Sequence, residues 1–173
     1  MTQRPVQIRA AQDADMIAVQ RIYAAEVLAG TASFEEVPPT AGEMMARCAA
    51  IRAHDCPFLV ADWKGEVAGF AYAGSYRSRS AYRFTVENTV YVAPHAQRSG
   101  VARALMERII MDCETAGFRQ IIAVIGDENP ASVAFHAAMG YRFAGKLEKV
   151  GFKFGRWLDT TTMQLSLGAT DQK

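Results

Sequence analysis

"HAQRSGVARALMERII", His95 to Ile110, joins a stretch thinned of side-chain bulk to a run with helical spacing of apolar residues. Ser99, Gly100 and Ala102 are small, and Arg98 and Arg103 place positive charge among them. The first N–H groups of a helix have no partner inside it and carry a partial positive charge of about half a unit. Residues without bulk let a diphosphate approach those groups. Ser99, Gly100, Val101, Ala102 and Arg103 would supply that cradle, with Arg98 and Arg103 adding charge. On these residues alone the turn is equally an ordinary strand-to-helix connection whose glycine takes an unusual φ. Two other phosphate-binding patterns are excluded, since neither G-x-G-x-x-G nor G-K-[ST] occurs.

Working outward, "FTVENTVYV" (84–92) reads as a strand leading into this turn, by its β-branched and aromatic content. Ahead of it, "PFLVADWKGEVAGFAYAGSY" (57–76) reads as two strands around a tight turn at Lys64-Gly65, and "RSRSAYR" (77–83) as a polar link. "VQIRAA" (6–11) is a first strand. A helix follows, capped by Asp13, with Met16, Val19, Ile22, Tyr23 and Val27 on one face and Gly30 as its stop. "TASFEEVPPT" (31–40) is a loop closed off by Pro38 and Pro39, and Thr40 caps a second helix over 41–54. Downstream, the helix after the turn reaches Gly117, and "RQIIAVIG" (119–126) is a buried strand because Ile121 to Ile125 is continuously apolar. Asn129 and Pro130 open a short helix that Gly140 stops. "YRFAGKLEKVGFKFGRWLDTTTMQLSL" (141–167) makes two final strands, and the last residues read as a frayed end.

The order β-α-α-β-β-β-α-β-α-β-β mixes hairpins with strand–helix–strand crossovers. It predicts an α/β chain, α+β in its mixing, with a central mixed sheet and helices on both faces. With no repeat, low-complexity tract or linker, residues 1–173 read as one domain.

Composition narrows the partners. The net charge of +1 points to neither a nucleic acid nor an anionic membrane, leaving room for a small anion held by a local patch. Cys48, Cys56 and Cys113 are odd in number and form no C-x-x-C pair, which suits a reducing compartment. His54, His95 and His136 lack metal-ligand spacing, so no metal is expected. The N-terminal residues lack the apolar core of a signal peptide, and no run is long enough to span a bilayer. The expectation is a cytoplasmic protein.

"QRSGVA" (97–102) resembles the Q/R-x-x-G-x-G/A signature of the GNAT superfamily of N-acetyltransferases, preceded by a matching strand "NTVYV" and followed by a matching "NPASVAFHAAMGYR". Over nearly the whole chain, "TASFEEVPPT", "SRSAYRFTVENTVYVAPHAQRSG", "VIGDENPASVAFHAAMGY" and "VGFKFGRWLDTTTMQL" are similar to the phosphinothricin and methionine sulfoximine N-acetyltransferases. Ala102 departs from the pattern, since close relatives usually carry Gly there. The resemblance implies a GNAT-like fold, mostly antiparallel, a homodimer, and acetyl-CoA as co-substrate. It implies acetylation of the α-amine of methionine sulfoximine, methionine sulfone or phosphinothricin in a resistance role.

Such a transfer needs an amine lone pair, a stabilised oxyanion and a proton for the departing thiolate. By resemblance, Glu87 takes the position of the base and His136 that of the acid. From the residues alone, Glu87 is more readily an edge glutamate paired with Arg79 or Arg83, and His136 a core histidine bonded to a carbonyl. Backbone amides of Val90, Tyr91 and Val92 would bind the thioester carbonyl and pantetheine. Asn129 and Ser132 would contact the CoA arm, Asn129 also serving as a helix cap. Arg77 and Arg79 in "YRSRSAYR" would hold a carboxylate bidentately, with Ser80, Ala81 and Tyr82 beside them and Phe34 closing from the opposite side. Two alternatives stay open, a peptide or protein N-acetyltransferase and an acyl-CoA-binding sensor without turnover.

Overall fold

The computed structural model describes residues 6–168. Eleven main elements follow in the expected order: β1 (Gln7–Ala10), α1 (Met16–Ala29), α2 (Ala41–Arg52), β2 (Phe58–Trp63), β3 (Glu66–Ser75), β4 (Thr85–Val92), α3 (Val101–Thr115), β5 (Gln120–Gly126), α4 (Pro130–Ala138), β6 (Arg142–Lys153) and β7 (Arg156–Ser166). The seven strands form one sheet in the order β1-β2-β3-β4-β5-β7-β6. Every neighbouring pair is antiparallel except β4 and β5. The predicted fraying of the tail falls on residues 169–173, outside the described residues.

Period-2 alternation divides the core between the two sheet faces. Leu59, Ala61, Ala71, Ala73 and Val86 pack on one face with Val101, Leu105, Met106, Ile109 and Cys113 of α3. Phe58, Val60 and Phe70 pack on the other with Met16, Val19, Tyr23 and Val27 of α1 and Met44 and Cys48 of α2. Cys48, Cys56 and Cys113 are free thiols, all buried. Burial pushes Cys56 up to about 11 and Cys113 up to about 12.

Most local punctuation behaves as its chemistry dictates. Thr40 and Glu43 form a reciprocal capping box at α2. Lys64 and Gly65 both take positive φ, as a two-residue hairpin turn requires. Asn129 Oδ1 accepts the Ser132 N–H at the start of α4 (2.9 Å). Asp13 is a correction, because it does not cap α1. A 3-10 turn over Asp13–Asp15 precedes that helix. Asp15 carries the load instead, accepting from the Gln12 N–H (2.6 Å) and pairing with Arg9 (2.7 Å).

β6 is an edge strand, and its hairpin with β7 shows Phe143, Leu147, Val150, Phe152 and Trp157 to solvent, each more than half exposed. Among the described residues, no helix is long and apolar enough to cross a membrane.

Candidate active site

The two parallel strands touch only briefly. β4 pairs with β5 over Thr85–Glu87 alone, while it stays paired with β3 through Val92. From Asn88 onward one edge of β4 is open, its alternate N–H and C=O groups unused by β5. A cavity of about 440 Å³ fills this fork. Glu87 to Tyr91 line one side, Ala123 to Gly126 the other, and Asn129, Ser132 and His136 of α4 close one end. Tyr23 and the loop Ala32–Glu35 close the opposite end. Val124, in the run expected to be wholly buried, is 42% exposed. Val124 is paired with Thr162 of β7 on one side only, and its other side borders the cavity.

Glu87 is the last β4 residue with partners on both sides, Gly74 and Ile122. Val86, Val90 and Val92 pack toward α3 and Tyr91 toward α1, so alternation directs Glu87 to the α1 face. No ion pair to Glu87 forms among the described residues, so the alternative pairing with Arg79 or Arg83 is not present. Burial alone pushes its carboxyl above the ordinary value of about 4.5.

Asn88 turns to the opposite face and joins a buried chain the sequence did not reveal. Tyr141 Oη donates to Asn88 Oδ1 (3.1 Å), Asn88 Nδ2 lies 3.2 Å from His136 Nε2, and His136 Nδ1 lies 2.9 Å from the Ser132 carbonyl. A carbonyl only accepts, so Nδ1 carries the proton and Nε2 accepts from Asn88. Burial pushes the His136 pKa down, favouring the neutral ring.

At the far end of β4 lies the turn into α3. Gly69 on β3 lets the helix close on the sheet: a Cβ there would stand 3.0 Å from both the Tyr91 carbonyl oxygen and Val101 Cγ1. Arg98 and Gly100 take positive φ, and no side chain caps α3. The first N–H groups of α3, at Val101, Ala102 and Arg103, are thus left for a ligand. Ser99 Oγ donates to the Ala96 carbonyl (2.5 Å), and Arg103 pairs with Glu107 (3.2 Å). This turn and the open edge of β4 fit an extended, diphosphate-bearing ligand such as acetyl-CoA. Neither Val92 nor any residue of Arg98–Arg103 lines the central cavity.

The arginine loop stands apart as well. Arg77, Arg79, Ser80 and Tyr82 line a second cleft of about 510 Å³, with Ser75, Thr85 and Phe118. Ala81 sits in the same 3-10 turn but does not line it. Arg77 stacks over Tyr76 and Tyr82, 5.0 and 5.6 Å from their ring centroids. The cleft begins where β3 ends and β4 starts, with Ser75 one residue beyond Gly74 of the Gly74–Glu87 pair.

Phe34 lines not the arginine-lined cleft but the central cavity. Tyr23, Ser33, Glu35, Tyr72 and Thr160 line it too, and no short motif marked them. Tyr23 reaches it from a helix face that reads as core, its hydroxyl 2.8 Å from Ser33 Oγ and 3.0 Å from Glu35 Oε1. Among the described residues, no group of three His, Cys, Asp or Glu side chains is placed to hold a metal ion.

Residues 8–162 match the family model for an acetyltransferase (GNAT) domain. The chain is 52% identical to a phosphinothricin N-acetyltransferase of Alcaligenes faecalis, over 95% of its own length and 84% of the relative's. It is 37% identical to an L-methionine sulfoximine/L-methionine sulfone acetyltransferase of Salmonella typhimurium, over 92% of this chain and 94% of that one. A GNAT superfamily phosphinothricin acetyltransferase from Sinorhizobium meliloti, solved in complex with acetyl-CoA, superposes with a TM-score of 0.93 at 44% identity, covering 97% of this chain and 92% of the other.

Proposed function

The chain belongs to the acetyltransferase (GNAT) family, and from that premise we infer that it transfers an acetyl group from acetyl-CoA to the amine of a phosphinothricin- or methionine sulfoximine-type amino-acid analogue. The observation that carries the reading is the fork itself, with an unpaired, half-buried Glu87 at its apex and an uncapped helix N-terminus at its mouth.

Acetyl-CoA supplies an activated carbonyl and a thiolate leaving group. The N–H groups of Val101, Ala102 and Arg103 would meet its diphosphate, with Arg98, Ser99 and Gly100 shaping the turn. The open β4 edge at Val90, Tyr91 and Val92 would bond the pantetheine as a further strand bonds a sheet and steady charge on the carbonyl oxygen. Asn129 and Ser132 would border the CoA arm from α4.

Glu87 is the proposed base. Its raised pKa narrows the gap to the amine's and so improves it as a proton acceptor. An amino acid's ammonium still holds its proton more tightly, which favours transfer through one water. For His136 the geometry supports a positioning role better than the acid role implied by resemblance. The single N–H of the neutral ring is spent on the Ser132 carbonyl, and burial opposes a second proton. His136 then fixes Asn88, and through it the strand that carries Glu87. A thiolate is a fair leaving group and can depart without a dedicated acid.

Arg77 and Arg79 remain the proposed carboxylate holders, with Ser80, Ala81 and Tyr82 around them, just past the apex where Glu87 would meet the amine. Phe34 and its loop would bound the analogue's polar head. The exposed apolar hairpin of β6 and β7 supports a homodimer, because an unpaired apolar edge invites a second copy. Buried free thiols suit a cytoplasmic location.

The deciding experiment is steady-state turnover with methionine sulfoximine, methionine sulfone, phosphinothricin and a peptide panel. Transfer to the amino-acid analogues with kcat/KM well above that for any peptide is expected. Transfer confined to peptides, or tight acetyl-CoA binding without any product, would overturn the assignment.

A further inference from the structure

The loop Thr31–Glu35 has no regular structure, yet it is held at many points. Thr31 Oγ1 donates to Asp127 Oδ2 (3.1 Å) and the Ala32 N–H to Glu26 Oε1 (2.9 Å). One tether stands out. Lys153, the last residue of β6, is 1% exposed, although lysine is among the side chains least often buried. Its Nζ donates to the Gly30 carbonyl (2.9 Å) and the Ser33 carbonyl (2.7 Å), from more than a hundred residues along the chain. These two carbonyls bracket Thr31 and Ala32, and Phe34 follows at once.

The Phe34 ring then lies against two glycines from different strands. A Cβ on Gly126 would stand 2.8 Å from the ring, and one on Gly151 would stand 2.2 Å from it. Any larger residue at either place would expel the ring, so the pair leaves a slot for it. The slot fixes where the ring goes, and the bracket fixes the backbone that delivers it.

We propose that Lys153 is a positioning residue for the acceptor analogue: by bracketing Thr31–Ala32 through the Gly30 and Ser33 carbonyls, it seats Phe34 in the slot left by Gly126 and Gly151 and so sets the width of the cavity at the end opposite α4. The proposal rests on the reading that this end receives the amino-acid analogue. A wall fixed in advance spares the acceptor the cost of ordering it, so the effect appears in the acceptor's binding. The acyl donor is held by β4 and α3, which Lys153 does not touch.

The test is Lys153→Met, which keeps the stem and removes the donor, alongside Phe34→Ala, the double variant, and Gly151→Ala. KM for methionine sulfoximine is read from steady-state rates and the acetyl-CoA Kd from calorimetry. Lys153→Met is expected to raise the sulfoximine KM about tenfold, as loss of a bracketing hydrogen bond would, with the acetyl-CoA Kd within about twofold of wild type. In the Phe34→Ala background the same change should add little, because the ring through which it acts is gone. Gly151→Ala, with Lys153 intact, should reproduce the acceptor-specific rise, and it decides by the same readouts if Lys153→Met does not fold. An unchanged sulfoximine KM in Lys153→Met or Gly151→Ala, or equal losses for both substrates, would overturn the proposal. An unchanged KM in Phe34→Ala would overturn the premise that this end receives the amino-acid analogue, and the proposal with it.

Discussion

Glu87 occupies the one β4 position where the strand is still paired on both sides and the fork has just begun. Its backbone is therefore fixed while its carboxylate borders open space, a placement that costs stability and suits the base role proposed for it. Because the folded-state pKa is raised, the folded protein binds more protons than the unfolded chain just above pH 4.5, and stability falls as pH rises through the raised value. Glu87→Gln removes that penalty. It is expected to lower kcat on the order of 10²-fold with acetyl-CoA affinity unchanged, and to raise Tm at pH 7 but not at pH 4, by turnover assays and thermal melts at both pH values. His136 has the opposite sign. Its lowered folded pKa gives stability present above the unfolded value near 6.5 and lost as pH falls through the folded one. His136→Phe leaves Asn88 Nδ2 and the Ser132 carbonyl without their partner, so a loss of about 1–3 kcal/mol is expected in urea unfolding. The alkaline limb of the pH–rate profile should stay where it is; its disappearance would restore His136 as the acid. Asn88 stands beside Glu87 in the strand, yet nothing local marks it. What the sequence withheld was its partner Tyr141, 53 positions away.

Elements were easier to read than contacts. The helix after "QRSG", the Lys64-Gly65 turn and the Asn129-Pro130 start all follow from local backbone chemistry, and each stands where that chemistry puts it. The entry to α1 did not, because Asp13 and Asp15 are chemically alike and only their contacts with Arg9 and Gln12 in the folded turn choose between them. The parting of β4 from β5 was equally hidden, since a buried run and a run facing a cleft use the same apolar residues. α3 is held to the β4 end by the missing side chain at Gly69. Gly69→Ala forces the Tyr91 carbonyl or Val101 to give way, so a loss of about 1–3 kcal/mol is expected. The acetyl-CoA Kd should rise while the amine KM moves little, as paired calorimetry and steady-state rates would show.

For the molecule as a whole, the two ends of the fork come from far-apart parts of the chain. The end proposed for the acyl donor is built by residues close in sequence, from β4 into α3, so one short motif can encode it. The end proposed for the acceptor is assembled from α1, the Thr31–Glu35 loop, β5 and the last hairpin, and no local pattern encodes such a gathering. Phe34 was singled out as a candidate alongside the resemblance, whereas Lys153 looked like any surface lysine. The same last hairpin is the surface proposed to pair two copies. Light scattering at micromolar concentration should give twice the 18.9 kDa chain mass, and Leu147→Asp with Trp157→Glu should reduce it to a single chain. The sequestered cysteines carry a practical benefit. A catalyst that releases free coenzyme A in every cycle can be followed with a disulfide dye at neutral pH, and its own sulfurs, screened and fully protonated there, will add no colour to the cuvette.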